Sequence, residues 1–366
     1  RLDLARSHAV ISASRHLTGC PERAVADYAA AVEVVRGLVA DYPTDVRFRD
    51  ALASYLGDYG AALMSTGRAA EADGALREAL TTAEASRAAA AHWHGANPVL
   101  HAQRNLASHS WATCRPDDAL RYSAAALGTC RFLIERAEDS TEASRALDLR
   151  TYRGVEIGLV HDRLVWLLAL GRDAGPMASD YERIAKRFMD GYPDHPHDYT
   201  ATLALYRGWV AHRAGRSNEK LTRFNRYKDS LDVRLAKEPH SPAAKAAVAR
   251  FAATCPADGV CDLERAEKLA REAVAVDPCP SYRFALGAVL ARQGAAGAAA
   301  VLARVPDDHP DRRAADLFLA VAAAEAGNAD EAQLWLTRAA GRRLPPAPVE
   351  PDLLYRLATS GAPATR

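Results

Sequence analysis

The sequence predicts an all-α chain built from repeated antiparallel helix pairs, on three observations. Long stretches are dominated by Ala, Leu, Arg and Glu, while aromatic residues make up only 7% of the 366. Those side chains lose little rotamer freedom in a helix, and the alternation of β-branched residues expected of strands is hard to find. Short Gly, Pro and Asp clusters ("DYPTD", "STGR", "ANPV", "GYPDHP", "KEPHSP", "VDPCP", "PDDHP", "AGNAD") break these stretches at helix-length intervals. Finally, an acidic residue followed by Ala, with a second Ala seven residues on, recurs along the chain. Seven residues are two helical turns, so each pair lies on one face, where a methyl group lets a neighbouring backbone approach closely.

Taken in chain order, "PERAVADYAAA" places Ala24 and Ala31 on the second helix of a first unit. "LGDYGAALMSTGRAAEADGALREAL" spans most of the next: Gly60 on its first helix, Gly67 in the turn, then Ala72, Leu76 and Ala79. "PDDALRYSAAA" supplies Ala119 and Ala126, and "PMASDYERIA" supplies Ala178 and Ala185 behind Gly171. "SNEKLTRFNRYKDSL" follows Gly215 and lacks both alanines. "LERAEKLAREA" restores them as Ala266 and Ala273, closed by Pro278. "YRFALGAVLARQG" gives Leu286, Gly287 and Leu290 with Gly294 after them, and "GAAGAAAVLARVP" reads as a shortened second helix. "DLFLAVAAAEAGNADEAQLWLTRAA" ends the series with Ala320, Gly327, Ala332, Leu336 and Ala339. In the copies other than "PMASDYERIA", the acidic residue ahead of the first Ala suits the positive end of the helix dipole. The turn glycines suit the position just past a helix end, where φ is positive. Roughly seven to eight units are expected over 1–341, with a possible subdivision near 192–198 or 238–242. The Pro-containing segment 342–366 is expected to be partly helical or disordered.

This unit resembles the tetratricopeptide repeat, which implies an α-solenoid: antiparallel helix pairs stacked as a right-handed superhelix, each unit burying its neighbour's face. The Ala31, Ala79 and Ala126 units exceed the usual period of about 34 residues, their second helices gaining about two turns. These long units with "YP" linkers, and "FAATCPADGVCDLERAEKLAREAVAVDP" followed by "YRFALGAVLARQG", resemble repeat regions attached to bacterial serine/threonine protein kinases. The kinase's own Gly-rich loop, H-R-D and D-F-G signatures are missing from the sequence, so the resemblance implies its non-catalytic, regulatory part. The opening "RLDLARSHAV" has neither an initiator Met nor a signal-peptide core, and is read as the start of a piece of something longer.

The resemblance further implies that first helices line a concave groove in which a partner peptide lies. Counted from the aligned small residues, the groove positions are His101, Arg104, Asn105, Ser108 and Trp111, then His161, then Trp209, His212 and Arg213, then Phe284 and Arg292. Aromatic rings and guanidinium groups there have the chemistry of interface hot spots. Trp111 and Trp209 read equally as inter-helix core. Some relatives clamp a peptide carboxylate with Lys and Asn; Arg104 and Asn105 correspond to that set only in part, and the preceding unit offers Ser54, Gly57 and Ala61.

The remaining constellations point away from catalysis. A net charge of +1 gives no electrostatic reason for nucleic acid or an anionic membrane as partner. No apolar run approaches the roughly 18 residues of a membrane span. Six cysteines without a C-x-x-C pair suggest a reducing cytoplasm. Cys255, Cys261 and Cys279 are one ligand short of a structural zinc site and read as small apolar residues, although a Cys255–Cys261 disulfide is geometrically conceivable. His92, His94 and His101, and likewise His195 and His197, read as solvated loop histidines, with adventitious metal binding the alternative. Ser217 and Lys220 have S-x-x-K spacing without its companion motifs, and Ser217 reads as an N-cap. Asp307, Asp308 and Asp311 have the spacing of a magnesium motif but read better as a turn and N-cap. The expected protein is therefore a non-enzymatic cytoplasmic scaffold without metal or cofactor, taking a protein or peptide partner or a second copy of itself. A helical-barrel magnesium enzyme using the three aspartates is one alternative, and a small-ligand or peptide-pheromone sensor the other.

Overall fold

A computed structural model of the chain describes residues 1–17, 21–89, 92–192, 199–257, 259–295, 297–307, 309 and 311–341. The expected C-terminal segment 342–366, most of the expected subdivision at 192–198, and His195, His197 and Asp308 lie outside the described residues. Among those described are sixteen α-helices and no strand. They are α1 (Leu2–Leu17), α2 (Pro21–Asp41), α3 (Val46–Ser65), α4 (Ala69–Ala89), α5 (Asn97–Ala112), α6 (Pro116–Asp139), α7 (Arg145–Ala169) and α8 (Gly175–Gly191). The series continues with α9 (Tyr199–Arg213), α10 (Ser217–Lys237), α11 (Pro242–Thr254), α12 (Leu263–Val276), α13 (Pro280–Arg292), α14 (Ala298–Leu302), α15 (Arg312–Glu325) and α16 (Ala329–Gly341). Read in order they form eight pairs, each a first and a second helix. The fold is all-α, built among the described residues from sequence-adjacent helix pairs.

The chain divides into two compact units, Arg1–Val160 and His161 onwards, with the boundary falling inside the sequence of α7. Segment 238–242 is a turn inside the second unit, where Glu238 N–H bonds back to Arg234 O and Ser241 starts α11 by accepting from Ala244 N–H at 3.2 Å.

Six turns between paired helices close in the same way. Gly67, Gly171, Gly215, Gly294 and Gly327 all have φ between +66° and +78°, and Cys114 takes the equivalent place at +57°. In the α3–α4 turn, Arg68 N–H reaches Leu63 O at 3.0 Å and Gly67 N–H reaches Met64 O at 3.1 Å. The same two bonds recur around each of the other five residues, as in Arg115 to Ser110 and Cys114 to Trp111. This pair of hydrogen bonds is the Schellman arrangement, which satisfies carbonyls left open at a helix end.

Packing within pairs follows from small residues. Ala24, Ala31, Ala72, Ala79, Ala119, Ala126, Ala178, Ala185, Ala266, Ala273, Ala332 and Ala339 are all buried. A methyl added at Gly60 would stand 2.5 Å from Leu76 Cδ2, one at Gly208 would stand 2.6 Å from Phe224 Cε1, and one at Gly287 would stand 2.5 Å from Leu302 Cγ. Three pairs thus share one close approach between a first-helix glycine and a large second-helix side chain. Among them is α9–α10, the pair without the alanines.

The short α14 is completed by a distant residue. Arg312 is 4% exposed, and its Nη1 donates to Leu302 O, Ala303 O and Val305 O at 3.1, 3.3 and 2.9 Å. Its Nη2 donates to the fully buried Asp316 at 2.8 Å. The guanidinium of α15 supplies donors to the carbonyls at the end of a five-residue helix.

Candidate functional site

The widest departure from the alanine rule lies in α10. Counted from the close-approach glycine, Ala79 follows Gly60 by the same interval as Tyr227 follows Gly208, so a phenol ring occupies the place of a buried methyl. Lys220 stands likewise where Ala72 does. Beside Tyr227 is a cavity of about 240 Å³ within the second unit, walled by Tyr206 and Trp209 of α9, Phe251 of α11 and Phe284 of α13, with Arg250 and Ala247 of α11 also lining it.

Its wall side chains pack against one another and against neighbouring rings. The Tyr227 ring meets Phe251 edge-on at 5.0 Å, Trp209 meets Phe224 at 6.0 Å, and Phe284 meets Phe318 at 6.0 Å. Tyr206 exchanges a hydrogen bond with His161 Nε2 at 2.9 Å. Burial pushes the Tyr206 and Tyr227 hydroxyls above the usual tyrosine range, so both are neutral hydrogen-bonding groups. The Arg250 guanidinium lies over the Phe284 ring at 4.9 Å and donates to both oxygens of Asp311 at 2.7 and 2.5 Å. An aromatic concavity with a charge-compensated arginine suits an uncharged, apolar group better than an anion.

The eleven groove positions expected from the sequence are distributed differently. Trp209 and Phe284, 4% and 1% exposed, are core side chains whose faces form this cavity. Arg292 is structural: its Nη1 donates to Ala252 O at 2.8 Å and Cys255 O at 2.7 Å, capping α11. Asn105 donates to Gly57 O at 3.1 Å and so ties α5 to α3. His101 packs beside it, 3.7 Å from Asp58; burial holds this imidazole below the usual histidine range and Asp58 above the usual carboxylate range. His161 is held by Tyr206, and His212 packs edge-on against Trp209. Arg104 is exposed, while Ser108, Trp111 and Arg213 are half-buried. Tyr206, Tyr227, Arg250 and Phe251 were not among the expected positions. The signal for them was the missing alanine pair in "SNEKLTRFNRYKDSL".

The other sequence candidates also have definite surroundings. Asp311 is held by Arg250, while the Asp307 side chain is 82% exposed and 3.8 Å from Arg312 Nε, so the two do not converge. Asp311 starts α15 without a side-chain capping bond. Ser217 is the first residue of α10, with Arg216 rather than Ser217 at the cap position. Cys255 and Cys261 are thiols in the α11–α12 loop, not a disulfide; a hydrogen bond from Cys261 holds the Cys255 thiol below its usual range. No helix among the described residues is long and apolar enough to cross a membrane.

No known family model and no curated protein matches the chain. Solved structures that match include BtubC (BKLC) from P. vanneervenii, at 15% identity and a TM-score of 0.39, covering 94% of this chain and 95% of that one. Yeast Tom70 matches at 11% identity and 0.42, over 97% and 94%. A structure of Naa15/Naa10 bound to HypK-THB matches at 12% identity and 0.23, over 98% and 72%. Scores and identities this low support no inference about this chain. Its fold rests on its own helix pairs, left-handed turns and buried alanines.

Proposed function

We propose that the chain is a non-catalytic interaction scaffold, and that the second unit holds an apolar side chain of a partner peptide in the cavity beside Tyr227. The observation behind this reading is the replacement of a buried alanine by Tyr227 at an aromatic-walled cavity. Six sister units keep the alanine pair, and of the two second helices that depart from it, α10 is the one that places a large aromatic side chain beside a concavity, where function is expected. The volume favours a peptide anchor over a small-molecule ligand, whose sites span about 300–1,000 Å³. The rigid aromatic walls offer contact area at low entropic cost, as interface hot spots do.

The test begins with peptides selected from a random display library against the full chain. Ala247→Phe, which fills the cavity from α11, is expected to weaken their binding at least tenfold with the circular dichroism spectrum unchanged. Undiminished binding by that folded variant would remove the assignment. The reading extends to Arg104 and Trp111 on α5: replacing both by Ala is expected to reduce recovery of native partners.

The long second helices and "YP" linkers support placing this scaffold in the cytoplasmic regulatory region of a bacterial serine/threonine kinase or a related signalling protein. A kinase domain encoded upstream of Arg1 would agree with this, whereas an unrelated domain would remove it.

A further inference from the structure

Far from that cavity in sequence, the first unit gathers a second set of chemically active side chains. The segment after α4 turns through a 3-10 helix, Trp93–Ala96, just before α5. His92 and His94 flank Trp93 there, with His92–His94 ring centroids 4.5 Å apart and Trp93–His94 centroids 3.7 Å apart. Glu142 reaches the same spot from the α6–α7 loop, fifty residues on, and its Oε1 lies 2.9 Å from His92 Nε2. One donor atom from each of His92, His94 and Glu142 lies within 4.8 Å of the others.

We propose that His92, His94 and Glu142 form a binding site for a divalent first-row transition-metal ion, with zinc as the expected occupant. Two imidazoles and one carboxylate are a donor set that zinc uses with further positions left to water, whereas calcium and magnesium prefer oxygen alone. Two donors on one tetrahedral zinc, each about 2.0–2.2 Å from it, stand about 3.3–3.6 Å apart. The 2.9 Å pair must open slightly and the widest pair must close by roughly 1.2 Å, a range that side-chain rotation covers.

The surroundings orient the donors. Glu142 N–H donates to Ser140 Oγ at 3.1 Å, and Ser144 Oγ lies 3.5 Å from Glu142 Oε2, leaving Oε1 directed at the histidines. His94 Nε2 faces Asp148 Oδ2 at 3.4 Å, and that buried oxygen has no hydrogen-bond partner. An imidazole bound to an ion through Nδ1 would donate its Nε2–H to this carboxylate, the usual support for a metal-bound histidine. One bond opposes the ion. His92 Nδ1 accepts from His94 N–H at 3.2 Å, and coordination through Nε2 would need the proton on Nδ1, releasing that long contact. The site would tie the α4–α5 segment to the α6–α7 loop, pinning successive helix pairs at one end. His101, close in sequence, stands apart on α5 beside Asp58.

The test is calorimetric titration of the metal-free, reduced full chain with Zn²⁺, paired with the absorption spectrum of the Co²⁺ form. One ion per chain is expected, with visible Co²⁺ bands lacking thiolate charge transfer. Glu142→Gln and His94→Ala are each expected to weaken binding roughly tenfold or more. Glu142→Gln changes an exposed loop residue, so it should preserve the fold even if His94→Ala does not. Unchanged Zn²⁺ affinity in folded Glu142→Gln, or a thiolate charge-transfer band placing the ion on the cysteines, would overturn the proposal.

Discussion

Cys114 holds a left-handed backbone where five sister turns use glycine. An L-residue in that region costs roughly 1–2 kcal/mol, partly offset by the unfolded-state entropy that glycine adds. Cys114→Gly is therefore expected to stabilise the chain by about 0.5–1 kcal/mol in urea unfolding. Gly60→Ala should act the other way, by about 1–3 kcal/mol, because its methyl would meet the fully buried Leu76. Leu76→Val in the same chain should recover part of that loss. A third residue, His109, is 1% exposed; burial first, then the nearby Arg115, hold its imidazole below the usual histidine range against the pull of Asp73. The folded state consequently binds fewer protons there than the unfolded state. Its contribution is intact above the unfolded value of about 6.5 and is lost as pH falls from there through the lower folded value. The urea midpoint should drop between pH 7 and pH 5, and drop less in His109→Gln. His101 acts with the same sign and Asp58 with the opposite one, so the comparison with the variant isolates His109.

At the scale of the helix, legibility depended on which physical need a residue served. A left-handed turn needs glycine, so Gly67, Gly171, Gly215, Gly294 and Gly327 could be read directly as helix ends. A close helix pair needs a small residue, so six second helices were marked by alanine. The Ala pattern could not find α10, where Phe224 packs on Gly208 and Tyr227 stands in an alanine's place; the alternative spacing was present but belonged to no alanine count. Trp209 and Phe284 could be named from register alone, whereas Arg250 could not, because its role depends on Asp311 sixty-one residues later. The shortness of α14 was visible, but its stabiliser was not: Arg312 reads as an ordinary charged helix start until its guanidinium is found among three carbonyls and Asp316. Arg312→Ala should destabilise the second unit by about 3–5 kcal/mol, since it leaves Asp316 buried without that cation. Arg312→Ala/Asp316→Ala should be less damaging than Arg312→Ala alone, measured by denaturant unfolding.

For the whole molecule, charge balance sets an expectation about partners. Lys and Arg number 47 against 46 Asp and Glu, and the arginine at the cavity is neutralised by Asp311. Binding of a selected peptide should then vary by less than about threefold between 0.05 and 0.5 M salt, unlike phosphate-reading proteins, whose affinity falls by orders of magnitude. The sequence-adjacent pairing of the helices also has a mechanical consequence. Strand-built domains resist pulling because many hydrogen bonds must shear together, whereas here a helix pair can be peeled from its neighbour a few contacts at a time. Stretched from its ends, each unit should yield at low force in a sawtooth of small steps. A pair of about 40 residues would release on the order of 130 Å of chain per step, at about 3.4 Å per residue. Such a chain is expected to behave as a soft spring, lengthening under load and re-forming one hairpin at a time.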